Sequence, residues 1–169
     1  MAAALPGIVA LPLRWCLLGS GDRRYQDLFA GLARRHPGRI AVRIGYDEDL
    51  AHRIEAGADC YLMPSRFEPC GLNQLYSLRY GTIPVVRAVG GLADTVRHFD
   101  AARGSGTGFV FRDYDVNGLL WAIREALAAF DRPADWARLR ANAMAEDFSW
   151  ESSARRYVEL YRALCARRT

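Results

Sequence analysis

Apolar and polar positions follow two rhythms along this chain. Short apolar runs of strand length alternate with stretches in which apolar residues return every third or fourth position. That alternation marks β-strands joined by amphipathic helices, the sequence form of βαβ units and a parallel sheet. Residues 14–22, RWCLLGSGD, read as a strand ending in a glycine turn. The helix that follows places Tyr25, Leu28, Phe29 and Leu32 on one face and stops at Pro37-Gly38. Residues 39–45 alternate Ile40, Val42 and Ile44 as a second strand, and Asp47 opens a short helix over 47–58. Residues 59–65, DCYLMPS, form a third strand. A helix from about Leu72 to Tyr80 ends at Gly81, and 82–88 is the fourth strand. A short helix near LADTV and a weaker strand at 108–111, entered through ARGSGTG, come next.

The remainder is helical. The last helix, SWESSARRYVELYRALCARR, has Ser149 as its cap and sets Trp150, Ala154, Tyr157, Val158, Tyr161 and Leu164 at helical spacing. Such an apolar face needs a cover. No internal repeat, low-complexity tract or linker interrupts the pattern. The expected fold is α/β, an open Rossmann-like parallel sheet with helices on both faces plus carboxyl-terminal helices, forming a single domain over 1–169.

Composition narrows the function. At 169 residues, 51% hydrophobic and 25% charged, the chain fits one domain with a real core. The formal charge is +4, and every basic residue outside the histidines is arginine; there is no lysine. The arginines are scattered, with pairs at Arg23-Arg24, Arg34-Arg35, Arg155-Arg156 and Arg167-Arg168, and make no stripe that would follow a phosphate backbone. Nucleic acid is therefore not an expected partner. The cysteines Cys16, Cys60, Cys70 and Cys165 lack C-x-x-C spacing, and two sit in apolar runs where a small buried hydrophobe would serve, so a reduced, cytoplasmic protein is expected. The opening MAAALPGIVALPL has no basic leader, and no stretch is long and apolar enough to span a bilayer. His36, His52 and His98 lie far apart without ligand spacing, so no metal is expected.

In open α/β sheets, ligands bind where the carboxyl ends of strands meet helix amino termini. Three segments fall there: GSGD from Gly19, SRFEPCGLN at 65–73, and VGG with Gly90 and Gly91. A helix starting at Gly71-Leu72 without a preceding Ser, Thr or Asp leaves backbone N–H groups free to hold phosphate. An ordinary watered turn is the competing account. A carboxylate roughly 5 Å from such a phosphate would repel it by about 3 kcal/mol at an effective dielectric near 20. Glu68 should therefore face hydroxyl groups, and a ligand carrying phosphate beside hydroxyls is a nucleotide sugar. Tyr46 either stacks on a nucleobase or packs beside the following helix. Arg66 could pair with Glu68, Asp22 or Asp47. No Ser-His-Asp or Cys-His order is legible, and Cys70 has no neighbouring histidine.

The run HRIEAGADCYLMPSRFEPCGLNQLYSLRYGTIPVVRAVGGLADTV, preceded by GYDE and followed by GTGFVF and FSWESSARRYVELY, closely resembles bacterial glycogen synthases and plant starch synthases. These are retaining glycosyltransferases of the GT-B fold, and the likeness runs from about Leu17 onward, over their nucleotide-sugar-binding half. The resemblance implies glucose transfer from ADP-glucose to the non-reducing end of an α-1,4-glucan with retention, without cofactor or metal. It implies that Glu68 binds glucose hydroxyls and supports positive charge at the anomeric carbon. By the same likeness, Cys70, Gly71, Leu72 and Asn73 hold sugar and distal phosphate, and Tyr46 stacks on adenine. Tyr76 stands where broader relatives carry a second glutamate, and Val89 replaces the usual threonine before the glycine pair. The family's amino-terminal, acceptor-binding half has no counterpart in these residues, nor do the arginine and lysine that neutralise the diphosphate. The expectation is an incomplete enzyme, weak or silent alone. A stand-alone nucleotide-binding or interaction module is the alternative, and a sucrose-type synthase a weaker third.

Overall fold

The computed structural model describes residues 1–166; the Arg167-Arg168 pair lies outside them. The opening apolar segment is helical, a 3-10 turn at Ala2–Ala4 running into α1 (Leu5–Val9). The strand and helix pattern then unfolds as β1 (Trp15–Gly19), α2 (Arg23–Arg35), β2 (Ile40–Ile44), α3 (Glu48–Gly57), β3 (Cys60–Met63), α4 (Asn73–Tyr80), β4 (Ile83–Arg87), α5 (Gly90–Thr95) and β5 (Phe109–Phe111). Helices α6 (Val116–Phe130), α7 (Pro133–Met144) and α8 (Trp150–Ala166) complete it.

Local chemistry explains most boundaries. Asp22, Asp47 and Asp115 cap α2, α3 and α6 by accepting backbone N–H bonds from Arg24, Leu50 and Gly118. Ser149 Oγ accepts from Ser152 N–H at 3.2 Å, the cap expected for α8. Gly81 closes α4 in the left-handed conformation.

All strand pairs are parallel. The expected α/β architecture of parallel strands flanked by helices is present, with one difference: the strands form two blocks, β1-β2 and β3-β4-β5, with no ladder between β1 and β3. The principal core unites Ile83 and Val85 of β4, Phe109 and Phe111 of β5, the inner face of α6, and Ala4 and Ile8 near the start of the chain. A second cluster joins Leu5, Leu32 and Ile40, and Trp15 packs against both.

Pro84 is fully buried in β4, where proline is rare. Ile83 N–H donates to the Asp59 carbonyl, so position 84 addresses the opposite side. There β5 pairs only from Val85 onward, and the Gly108 carbonyl accepts from Phe99 N–H instead. The missing proline donor therefore costs no ladder bond.

The expectation that two cysteines in apolar runs fill buried positions is corrected: Cys16, Cys60, Cys70 and Cys165 are all free and exposed. Cys16 and Cys60 belong to strands with an unpaired edge, and α8 buries none of its residues. Among the described residues no helix is long and apolar enough to cross a membrane, and no group of His, Cys, Asp and Glu could hold a metal ion.

Candidate functional site

The carboxyl end of β3 leads through Pro64–Leu72 into α4, and this loop is held from three sides. From below, the buried Gln74 amide donates to the carbonyls of Cys70 and Gly71, both at 3.0 Å, and to Thr95 Oγ1 at 3.3 Å. Gly71 has φ +75, and a Cβ there would lie 2.3 Å from Gln74 Oε1, so the position requires glycine on both counts.

From behind, the start of α5 presses on the same loop. Gly91 N–H donates to the Pro69 carbonyl at 3.2 Å. A Cβ on Gly90 would sit 1.9 Å from the Glu68 carbonyl oxygen, and one on Gly91 would sit 2.1 Å from that of Cys70. Two motifs separated in sequence thus form one close-packed backbone layer.

From the side comes Arg87, the last residue of β4. Its guanidinium donates to the carbonyls of Ser65 and Arg66, at 3.4 and 3.1 Å, and lies 4.9 Å from the ring of Tyr114. Its Nε is buried without a partner among the described residues.

Helix α4 has no side-chain cap at Leu72. Leu75 and Tyr76 N–H donate to the Leu72 carbonyl, whereas the N–H groups of Leu72, Asn73 and Gln74 have no protein acceptor among the described residues. Those donors and the helix dipole make the segment attractive to an anion. Glu68 is half-buried, and its carboxylate accepts from Ser65 Oγ at 3.4 Å, folding back over its own loop. Asn73 Nδ2 donates to Tyr61 Oη at 2.6 Å, so its side chain braces α4 against β3. Burial raises the Tyr61 hydroxyl pKa, the Asn73 bond opposes that shift, and nearby Glu55 adds to it.

Glu68, Cys70, Gly71, Leu72, Asn73, Gly90 and Gly91 are thus gathered in one place. Gly19 and Tyr46 stand at the carboxyl ends of β1 and β2, in the other block; the Gly19 carbonyl accepts from Gly45 N–H at 3.0 Å. Tyr46 is 86% exposed, which overturns the alternative of an aromatic packed beside α3. Arg66 makes no ion pair among the described residues; its carbonyl serves Arg87 instead. A small cavity of about 150 Å³ near Asp59, Tyr80 and Arg140 opens at the amino ends of β3 and β4, far from these loops.

The sequence pattern of glycosyl transferases group 1 matches residues 14–141. The chain belongs to that family. It is 62% identical over 164 residues to the glycogen synthase of Anaeromyxobacter sp. (strain K), covering 97% of this chain and 34% of that protein. With the glycogen synthase of Desulforudis audaxviator (strain MP104C) the identity is 51% over 163 residues, 96% of this chain and 33% of the other. The catalytic domain of starch synthase IV from Arabidopsis thaliana, solved with ADP and acarbose, superposes with a TM-score of 0.77 at 30% identity, covering 96% of this chain and 41% of that one. The lipopolysaccharide glycosyltransferase WaaG shares the fold at TM-score 0.59, with 22% identity over 86% of this chain and 38% of its own. The chain therefore spans about a third of the curated relatives it matches.

Within this glycosyltransferase fold, sequence reading missed Arg87, Gln74 and Thr95. Arg87 left one signal, a cation closing the apolar strand IPVVR at its carboxyl end. Gln74 and Thr95 left none, because each looks like an ordinary helical polar residue until the loop it supports is in place.

Proposed function

We propose that residues 1–169 form the nucleotide-sugar-binding domain of a glycogen or starch synthase. The reaction is transfer of glucose from ADP-glucose to the non-reducing end of an α-1,4-glucan, with retention. The observation that carries this reading is the packing of Gly90-Gly91 against the loop that joins Glu68 to the uncapped start of α4. A phosphate takes the free amides of α4 while the carboxylate, folded away toward Ser65, is left for glucose hydroxyls. As glucose departs from the diphosphate, positive charge grows at its anomeric carbon, and Glu68 stabilises it. Exposed Tyr46 supplies a face for the adenine. ADP in the Arabidopsis starch synthase supports adenine over uracil.

The glucan acceptor groove belongs to an amino-terminal half that these residues do not include, so the domain alone transfers glucose weakly or not at all. Titration of the purified chain with ADP, ADP-glucose and UDP-glucose tests the first part; saturable binding favouring the adenine ligands is expected. Absence of binding to all three would leave an interaction module, a reading that the uncovered apolar residues of α8 favour. Transfer of labelled glucose to glycogen, with and without a supplied amino-terminal half, tests the second part. Full activity from the chain alone would refute it.

A further inference from the structure

The loop that carries Glu68 is held unevenly. Its second half, 68–71, is fastened by backbone and by Gln74. Gly91 N–H donates to the Pro69 carbonyl, Gly90 and Gly91 lie against the carbonyls of Glu68 and Cys70, and the Gln74 amide binds those of Cys70 and Gly71. The first half, 65–67, has no such partner. Among the described residues its main chain makes two hydrogen bonds, both from Arg87 Nη1, to the carbonyls of Ser65 at 3.4 Å and Arg66 at 3.1 Å. That half matters to the acid, because Ser65 Oγ is the group that donates to the Glu68 carboxylate, at 3.4 Å.

Arg87 is held in turn by something other than a counterion. A guanidinium commonly pairs with a carboxylate, whose two oxygens match its planar fork. Arg87 forms no ion pair among the described residues, although Asp113 and Asp115 flank Tyr114 in the sequence. Its Cζ stands instead 4.9 Å over the Tyr114 ring, and its Nε is enclosed without an acceptor. With no carboxylate and no bond at Nε, the plane of the fork is set by the two carbonyls and the ring. Such a cation is placed for geometry.

Tyr114 is itself placed by local structure. Arg87 pairs with Phe111 in the β4–β5 register, and Ala88 N–H donates to the Phe111 carbonyl, so the connection leaving β5 starts beside the arginine. At its other end Asp115 caps α6 by accepting from Gly118 N–H at 2.7 Å. The ring thus projects from a short turn fixed between a ladder and a helix cap.

We propose that Arg87, steadied by the ring of Tyr114, is a positioning residue for Glu68, and that the β5–α6 connection thereby sets how this acid meets the sugar. The line of contacts runs from the Tyr114 ring to the guanidinium, on to the Ser65 and Arg66 carbonyls, and through the Ser65 hydroxyl to the carboxylate. The proposal rests on the reading of Glu68 as the glucose-facing acid. Phosphate goes to the free amides of α4, next to the firmly fastened half of the loop, so the tether governs the sugar and leaves ADP alone.

The test applies two measurements to the full chain: hydrogen exchange of the 65–68 amides without ligand, and calorimetric titration with ADP and with ADP-glucose. Tyr114→Leu removes the ring, whereas Tyr114→Phe keeps it; Tyr114 is 56% exposed, so both spare the core. Arg87→Lys keeps the charge and loses the flat fork. Tyr114→Leu and Arg87→Lys should each speed exchange over 65–68 at least roughly threefold. Each should weaken ADP-glucose binding at least roughly threefold with ADP unchanged, and Tyr114→Phe should restore wild-type behaviour in both measurements. In a chain already carrying Glu68→Ala, Tyr114→Leu should weaken ADP-glucose no further, because the group it positions is gone. Wild-type exchange over 65–68 in Tyr114→Leu would overturn the proposal. So would equal losses for ADP and ADP-glucose, or a loss that persists undiminished beside Glu68→Ala. Failure of the underlying reading looks different: the wild-type chain binds no ADP-glucose, or Glu68→Ala alone leaves that affinity unchanged, and the proposal then falls with it whatever the exchange shows.

Discussion

Replacing Gly91 by alanine tests the joint between the two loops of the candidate site. Gly91 is helical and lies outside the left-handed region, so alanine there carries no backbone strain and would favour α5 by about 1 kcal/mol. The new methyl would lie 2.1 Å from the Cys70 carbonyl oxygen and 2.6 Å from its Cα. Ordinary contact begins at 3.4 Å, so the layer must open by the difference between 3.4 and 2.1 Å, 1.3 Å. The obstructing atoms are backbone, and no rotamer change relieves them. Overpacking of this kind costs about 1–3 kcal/mol, more than the helix gains. A net loss near 1 kcal/mol lowers Tm by about 2–4 °C in a chain of this size. A displacement of about 1 Å in a positioning loop can cost on the order of 100-fold in function. Calorimetric titration should therefore show ADP-glucose affinity falling at least roughly tenfold for Gly91→Ala. Gly57→Ala, at a position with nothing within 4 Å, should leave affinity unchanged. Wild-type affinity together with wild-type Tm in Gly91→Ala would refute the close-packed joint.

Further outcomes follow from the same geometry. In an enzyme reconstituted with an amino-terminal half, Glu68→Ala should cut turnover by about 100-fold or more while ADP affinity stays nearly intact, since the carboxylate serves sugar and not phosphate; loss of ADP binding in calorimetry would contradict that division. Arg87→Met removes the donors to the Ser65 and Arg66 carbonyls and should speed backbone exchange over 65–68, leaving the strands unaffected; unchanged exchange there would show that the loop needs no tether. Glu55 is buried with Oε1 unpartnered, and desolvation raises its pKa above the usual 4.5, the nearby His52 only partly opposing. The folded state thus holds this proton more tightly than the unfolded one, so the contribution is full below pH 4.5 and is lost as pH rises through the raised value. Urea titrations should show Glu55→Gln gaining stability relative to wild type above that range and losing the advantage below pH 4.5; a pH-independent difference would disprove the linkage.

Much of the fold was legible because its signals are local. Asp22, Asp47 and Ser149 before apolar periods, and Gly81 after one, mark helix ends through hydrogen bonds and dihedrals that span a few residues. The start of α4 could be read because the absence of a capping side chain is itself a local fact. What escaped depends on pairing across the chain. The break between β1 and β3 is invisible in strands whose apolar content matches that of a buried strand, and for the same reason Cys16 and Cys60 looked interior. The helical opening was obscured by Pro6 and Pro12, although Pro6 sits in the first turn of α1, where its missing N–H does no harm. Arg87 reads as the edge of a strand; its role exists only once β4 lies beside the Ser65 loop.

Pro84 bears on how this sheet is assembled. Its ring sits at a place in β4 where no donor is asked for, between the bond of Ile83 to one neighbour and the first contact of Val85 with the other. Slide β4 by one residue and the ring would confront a neighbouring strand's carbonyl that needs a hydrogen-bond donor. The proline thus disfavours other registers of β4 while leaving the observed sheet intact.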